Sequence, residues 1–306
     1  MSRSAAAALG SEAPSPKVVL ELLKPITWFP PMWAFACGAV SSGIAWQGHW
    51  PVIVVGVVLC GPLLCAASQA VNDWFDREVD AINEPGRPIP SGRMPGSWGL
   101  YVAVLWSVLS VVCAAALGRW VLAASVAGLI LAWAYSAPPV RLKQNGWWGN
   151  LACAVCYEGL AWVTGAAVMA GGTTPSGRTI TLAALFSLGA HGIMTLNDFK
   201  SIEGDKRWGI RSLPVLLGAE HAAEVACVAM ALPQFVVAAL LMACGAPYHA
   251  MAVGALLGLQ LLLMRRLLGD PRARAPWYNG TGVTLFVAGM LVSAFALKAI
   301  LPMEIV

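Results

Sequence analysis

The chain has 306 residues, 58% of them hydrophobic and only 11% charged, with a formal net charge of +4. A soluble domain carries roughly 25% charged residues, so this composition excludes an ordinary water-soluble enzyme. The small positive excess gives no electrostatic case for a nucleic-acid partner.

Residues 1–16 are mostly Ala, Ser and Pro and are expected to form a disordered tail ahead of one transmembrane domain, 17–306. Ala5–Leu9 is too short for the apolar core of a signal peptide, and Glu12 follows it. Nine apolar blocks then appear at 26–46, 51–71, 98–117, 120–137, 149–171, 179–196, 221–244, 248–264 and 279–300. A bilayer asks for roughly 20 apolar residues per helix, so the expected fold is all-α, an integral membrane bundle of nine transmembrane helices. Pro138-Pro139 and a polar run to Asn150 separate the fourth block from the fifth. Pro233 interrupts the seventh, which a membrane helix tolerates as a kink.

With the N-terminus in the cytoplasm, every Lys and Arg except Arg119, Arg178 and Lys298 falls in a cytoplasmic segment. A wrong count of spans would scramble that alternation. Trp46, Trp50, Trp98, Trp120, Trp147 and Trp148 sit near block ends, as interfacial aromatics do. Most of the eight cysteines lie inside apolar blocks, and the zinc-like Cys153-x-x-Cys156 has no second ligand pair, so the cysteines read as small packing residues.

Five acidic residues stand between blocks two and three, and three follow block six, on the same expected side. They form two related strings, Asn72-Asp73-Trp74-Phe75-Asp76-Arg77-Glu78-Val79-Asp80 and Asn197-Asp198-Phe199-Lys200-Ser201-Ile202-Glu203-Gly204-Asp205. This short internal repeat suggests two halves facing one site. If block two stays helical, Asp73, Asp76 and Asp80 fall at i, i+3 and i+7 and share a face, flanked by Gln69 and Asn72. Clustered carboxylates repel unless a cation neutralises them, and an all-oxygen set suits Mg²⁺. Asp198 and Asp205 form a second stripe unless Gly204 ends the helix early. A plain solvated loop explains one acidic string better than two, each closing an apolar helix on the same side.

Arg87, Arg93, Lys200, Lys206, Arg207 and Arg211 accompany the motifs, with Arg141 and Lys143 in the loop after block four. Carboxylates for Mg²⁺ and cations for phosphate oxygens together suit a diphosphate. Membrane topology alone accounts for Arg265, Arg266, Arg272 and Arg274; for Arg93, Lys143, Lys206 and Arg207 both readings stand. Tyr135 either hydrogen-bonds a substrate or anchors its helix end. His191 reads as a buried histidine satisfied by a neighbouring helix. Glu158, alone in block five, is the main feature a cation transporter would use, but no polar ladder crosses the bilayer.

Asn72-Asp73-x-x-Asp76-x-x-x-Asp80 resembles the first signature of the UbiA-type intramembrane prenyltransferases, and the second Asp-rich string and nine helices extend the resemblance over nearly the whole chain. The resemblance implies helices packed around a central cavity that opens laterally to lipid for a long isoprenoid tail. Lys24-Pro25-Ile26-Thr27-Trp28, the run from Asp80 to Gly92, Tyr135-Ser136-Ala137-Pro138-Pro139 and the second motif are similar to the chlorophyll and bacteriochlorophyll synthase branch. No plastid-transit-like extension precedes the first helix, which points to the bacterial side of that branch.

The resemblance implies transfer of a geranylgeranyl or phytyl group from its diphosphate to the 17-propionate of a bacteriochlorophyllide, with chlorophyllide, or a haem or quinone-ring acceptor, as alternatives. It implies two Mg²⁺ sites, one on Asp73, Asp76 and Asp80 with Asn72 beside them, the other on Asp198 and Asp205. Asn72, Arg87, Arg93, Tyr135, Lys143, Asn197, Lys200, Ser201, Lys206 and Arg207 are the expected substrate-binding residues. Many ring-alkylating members carry Asp at the position of Ser201; an ionised propionate needs no base and is repelled less by serine. The expected location is the inner or intracytoplasmic photosynthetic membrane, with the N-terminus and active-site loops cytoplasmic, and with membrane lipid and pigment-assembly or light-harvesting proteins as partners.

Overall fold

A computed structural model describes residues 13–300. Most of the expected tail lies outside the described residues, and its last residue, Pro16, already opens helix α1 (Pro16–Leu22). A 3₁₀ turn, Pro25–Thr27, leads to α2 (Phe29–Ser41). The long helices follow: α3 (Trp50–Asn83), α4 (Trp98–Leu117), α5 (Arg119–Ser136), α6 (Gly146–Met169) and α7 (Gly177–Lys200). Two short helices, α8 (Ile202–Trp208) and α9 (Leu213–Leu217), precede α10 (Ala219–Ala243), α11 (Pro247–Leu268) and α12 (Pro271–Ile300). Among the described residues the β pairing is one isolated bridge, Asn145 to Arg211.

Among the described residues, eight helices are long and apolar enough to cross a membrane. The ninth bundle member is α2, which fills the first apolar block with only 13 residues. Pro30 and Pro31 suit a helix start, where a missing N–H costs nothing. Gly43, at φ +78°, turns the chain left-handed at the other end.

Contacts sort the turns to two ends. Lys24–Asp73, Arg93–Glu21, Arg272–Glu203 and Asn145–Arg211 meet at one end, and the acidic motifs lie there. At the other, Trp120 N–H donates to Gly172 O at 3.4 Å, and Lys298 sits over the Trp46 ring. The outer surface is apolar, with Val112, Phe235 and Leu262 exposed on α4, α10 and α11. A large exposed apolar area of this kind faces lipid.

With no aqueous driving force between helices in lipid, close packing holds the bundle. A Cβ on Gly38 of α2 would stand 1.9 Å from Trp162 O of α6, and one on Gly165 would stand 2.0 Å from Phe35 O. The two backbones are therefore in contact, and larger side chains at these positions would force them apart. Trp162 stacks on Phe186, which meets Phe286 edge-on, tying α6 to α7 and α12.

Two widened π turns interrupt the long helices, at Leu59–Cys65 in α3 and Val155–Leu160 in α6. Pro62 explains the first, since it lacks an N–H to continue the ladder. Its carbonyl instead accepts from Trp106 Nε1 at 3.0 Å. The turns are linked through Tyr157, whose hydroxyl accepts from Gln69 Nε2 at 3.0 Å and from Cys65 Sγ at 3.6 Å.

Candidate active site

After its π turn, helix α3 continues unbroken from Ala66 to Asn83, so Asp73, Asp76 and Asp80 share the face their spacing predicts. Each meets a cation, and Arg87 reaches two of them, Asp80 and, at 3.3 Å, Asp73. Asp73 Oδ1 accepts from Lys24 Nζ at 2.6 Å, and Asp80 Oδ2 from Arg87 Nη1 at 2.6 Å. Asp76 Oδ1 is bound by Lys143 and lies 3.6 Å from Arg141, while its Oδ2 accepts from Asn72 Nδ2 at 2.9 Å. Arg87 also makes two 2.7 Å bonds to Glu84.

The second motif is not one continuous stripe. The helix breaks at Asp198–Lys200 into a 3₁₀ turn, and α8 starts at Ile202 with Gly204 inside it. The break thus comes before Gly204. Its cause is local: Ser201 Oγ donates to Asp198 O at 3.0 Å, the competition with the backbone that short hydroxyl side chains offer. Asp198 Oδ2 accepts from Asn150 Nδ2 at 3.0 Å, and Asp205 Oδ2 from Ser201 Oγ at 3.2 Å.

Loop 137–145 reaches this site because it is pinned to the segment after α8. Gly146 N–H donates to Arg211 O at 2.8 Å, and Arg211 N–H to Gln144 O at 3.0 Å. A Cβ on Gly146 would lie 2.5 Å from Leu213 N, so only glycine permits this approach. The pinning carries Lys143 to Asp76.

Both motifs line one cavity of about 760 Å³. Of the expected residues it gathers Asn72, Asp76, Asp80, Arg87, Tyr135, Lys143, Asp198, Lys200, Ser201 and Asp205. Asp73 is reached through Lys24 and Arg87. Four expected residues are placed elsewhere. Asn197 accepts from Asn279 of α12, Arg93 makes a bidentate pair with Glu21, and Lys206 and Arg207 are exposed away from the lining. His191 stacks on Trp147 and contacts its carbonyl at 3.2 Å. Glu158 is buried in the bundle.

The structure adds Glu21, Lys24, Thr27, Gln69 and Asn150 to the wall. Lys24 carried a visible signal, the basic residue before Pro25, but it also satisfied the topology rule. Asn150 carried none.

The cavity continues inward. Gln69, Asn72 and Tyr135 also line a second chamber of about 250 Å³, walled by Leu131, Ala132, Cys153, Cys156 and Met194. Ser68, Ala132, Cys156 and Tyr157 lead on to a third, bounded by Leu64, Leu129 and Leu160. The π turns supply Cys60, Cys65, Cys156 and Tyr157, so they shape this passage. Cys153 and Cys156 are free thiols in its wall.

Six carboxyl groups line the outer cavity (Glu21, Asp76, Asp80, Glu84, Asp198, Asp205) against four cations (Lys24, Arg87, Lys143, Lys200). An excess of two negative charges repels an anionic ligand unless a cation enters with it. The oxygen-only donors suit Mg²⁺, which keeps waters and needs only one or two carboxylates. Among the described residues no three acidic, imidazole or thiol groups converge on one point. Asp73 Oδ2, buried without a partner, is an acceptor ready for such an ion.

Local charges tune the groups outside the membrane spans. Burial opposes the Arg87 charge, but Glu84, Asp73 and Asp80 outweigh it and raise its pKa. The Arg87 hydrogen bonds hold Glu84 below the ordinary range. Burial pushes Asp205 up and Lys143 down, the latter against the pull of Asp76.

Residues 27–288 match the model of the UbiA prenyltransferase family. The chain is 57% identical to the bacteriochlorophyll synthase 33 kDa chain of Cereibacter sphaeroides, over 94% of this chain and 95% of that one. It is 53% identical to the protein of the same name from Rhodobacter capsulatus, over 93% and 94%. A UbiA homologue from Archaeoglobus fulgidus, solved bound to DMAPP and Mg²⁺, has a TM-score of 0.71 at 21% identity, over 92% of this chain and 99% of that one.

Proposed function

The chain belongs to the UbiA prenyltransferase family, and on that footing we propose that it esterifies the 17-propionate of bacteriochlorophyllide a with a geranylgeranyl or phytyl group from its diphosphate. It is an integral, multi-pass membrane protein. One observation carries the reading: carboxylates of both motifs line a single cavity that runs on into an apolar passage. A polyanion joined to a long hydrocarbon needs those two surroundings in that order. The bacteriochlorophyll synthases among its relatives supply the choice of acceptor.

Asp73, Asp76 and Asp80 with Asn72 would hold one Mg²⁺, and Asp198 with Asp205 a second. Bound there, the metal offsets the charge of the diphosphate and of its departure. Arg87, Lys143 and Lys200, on the cavity wall, bind diphosphate oxygens. Tyr135 and Asn72, shared by the outer and second chambers, stand at the throat where the allylic carbon passes. There the bond from that carbon to the diphosphate oxygen breaks as the propionate oxygen bonds to it. The propionate is already ionised near neutral pH, so no base is needed. The apolar walls of the passage keep water from the electron-poor carbon.

This reading puts α1 and the cavity mouth on the cytoplasmic face, the side that holds most of the basic residues. Membranes containing the chain, given bacteriochlorophyllide a, geranylgeranyl diphosphate and Mg²⁺, should form the esterified pigment, and EDTA or Asp76→Ala should abolish it. Folded protein that esterifies neither bacteriochlorophyllide nor chlorophyllide would overturn the acceptor assignment.

A further inference from the structure

We infer that the Lys24–Phe29 turn is the acceptor's docking site, with Lys24 binding its carboxylate and Ile26 and Phe29 carrying its flat apolar ring system; this rests on the transfer reading above. Such an acceptor is an amphiphile with one anionic oxygen group on a planar hydrocarbon body. It needs a cation on the cavity wall beside an apolar surface that faces outward.

The turn supplies both. Lys24 and Thr27 line the cavity, whereas Ile26 between them is 92% exposed and Phe29 is 56% exposed. Phe29 stacks on Trp33 with ring centroids 5.8 Å apart, which stiffens the outward surface. Among the described residues, the two non-glycine positions with positive φ are Lys24 (48°) and Arg141 (41°), and each places a cation beside an aspartate of the first motif. Backbone strain of this kind persists where the surrounding structure enforces it, often at binding sites. Here Thr27 enforces it, since its N–H and its Oγ1 donate to Lys24 O at 2.9 and 2.8 Å.

Lys24 also has donors to spare. An ammonium has three N–H bonds, and among the described residues its one acceptor is Asp73 Oδ1. The other cations are committed or lack the platform. Arg87 is shared among Asp73, Asp80 and Glu84, and Lys143 is buried against Asp76. Lys200 lines the cavity, but the apolar residues near it, Phe199 and Ile202, are buried.

The test is a binding titration of the full-length protein in lipid nanodiscs, without donor, read by quenching of pigment fluorescence. The probes are bacteriochlorophyllide a and its 17-propionate methyl ester, which differ in the charge Lys24 reads. Wild-type protein should bind the acid about ten-fold or more tightly than the ester, the worth of a charged hydrogen bond. Lys24→Met should bring the acid down to the ester's affinity while leaving the ester unchanged, which also reports an intact fold. Lys24→Arg should restore part of the preference, and the Ile26→Ser, Phe29→Ser double variant should weaken both probes alike. A preference that survives in Lys24→Met, or is lost instead in Lys200→Met, would overturn the inference. Wild-type protein that shows the preference yet forms no ester with any isoprenoid diphosphate would sink the transfer reading and leave the docking site supported.

Discussion

Asn150 of α6 donates from Nδ2 to Oδ2 of Asp198 at 3.0 Å, the counterpart of the 2.9 Å bond by which Asn72 holds Asp76. Each motif therefore has one aspartate oriented by a neutral amide; Asp76 also carries Lys143, whereas at Asp198 the amide fixes the carboxylate without cancelling the charge a metal needs. Asn150→Leu removes this bond and the 3.3 Å bond to Thr195. The Mg²⁺ concentration for half-maximal ester formation should rise about ten-fold or more, with much of the rate recovered at saturating Mg²⁺. A metal titration of variant membranes checks this, and an unchanged midpoint would leave Asn150 with packing alone.

Arg87 joins Asp73, Asp80 and Glu84 through one guanidinium. Arg87→Ala leaves buried Asp80 without its cation and Asp73 with Lys24 alone, and should lower stability by about 1–3 kcal/mol, the cost of an unsatisfied buried polar group. Ester formation should fall well beyond what the loss of folded protein explains. Arg87→Lys should recover little, because a point charge cannot reproduce the paired bonds to Glu84. Thermal unfolding in detergent, beside rates normalised to folded protein, separates the two effects. Full activity in the lysine variant would mean that charge alone matters there.

How far the sequence carried these conclusions depends on the range of the interactions. The eight long helices and the face shared by Asp73, Asp76 and Asp80 follow from local periodicity and were legible. The break at Asp198–Lys200 comes ahead of Gly204, the position at which the sequence suggests an early end, because the bond from Ser201 to the backbone competes with helix in a way that residue propensity does not show. The pinning of loop 137–145 to Arg211 joins residues 65 and 67 apart through backbone atoms, and no side-chain pattern encodes it. For Arg93, six residues after Arg87 in the same loop, the sequence leaves a phosphate role and plain membrane topology both open. Glu21, on another helix, draws it outward.

Ser201 hydrogen-bonds both Asp198 O and Asp205 Oδ2 from its place in the cavity wall. Ser201→Asp puts a carboxylate against Asp205, whose pKa burial already raises, and adds negative charge to a lining with an excess of acids. The acceptor is itself an anion, so its KM should rise about ten-fold, the scale of one mispaired charge. The KM for the isoprenoid diphosphate should change less when Mg²⁺ is saturating. Ser201→Ala tests the hydrogen bonds without the charge and should affect the acceptor KM less than the aspartate does. Equal effects of the two substitutions would refute repulsion.

Ion pairs of two arginines hold the 84–97 loop: Arg87 pairs with Glu84 within it and with Asp73 and Asp80 of α3, and Arg93 with Glu21 of α1. Hydrogen bonds from those arginines lower the pKa of both glutamates below the usual 4.5. A carboxyl whose folded-state pKa is lowered adds stability that is present above its unfolded value and disappears as pH falls through the folded one. The loop should therefore keep its order through neutral pH, begin to loosen as pH falls below about 4.5, the unfolded value, and lose the pairs' contribution as pH falls on through the lowered folded values. Both glutamate pairs are largely exposed, so salt should weaken the effect. Hydrogen exchange over 84–97, measured in metal-free protein across that range, should show faster exchange in acid once corrected for the intrinsic rate. In the Glu21→Gln, Glu84→Gln double variant, which keeps the Arg87 pairs to Asp73 and Asp80, exchange at neutral pH should already be faster than in wild type and change less with pH. If the wild-type loop stays equally protected in acid, the ion pairs do not hold it, and the packing of Met94 and Ile89 against α3 and α4 becomes the tie to test next.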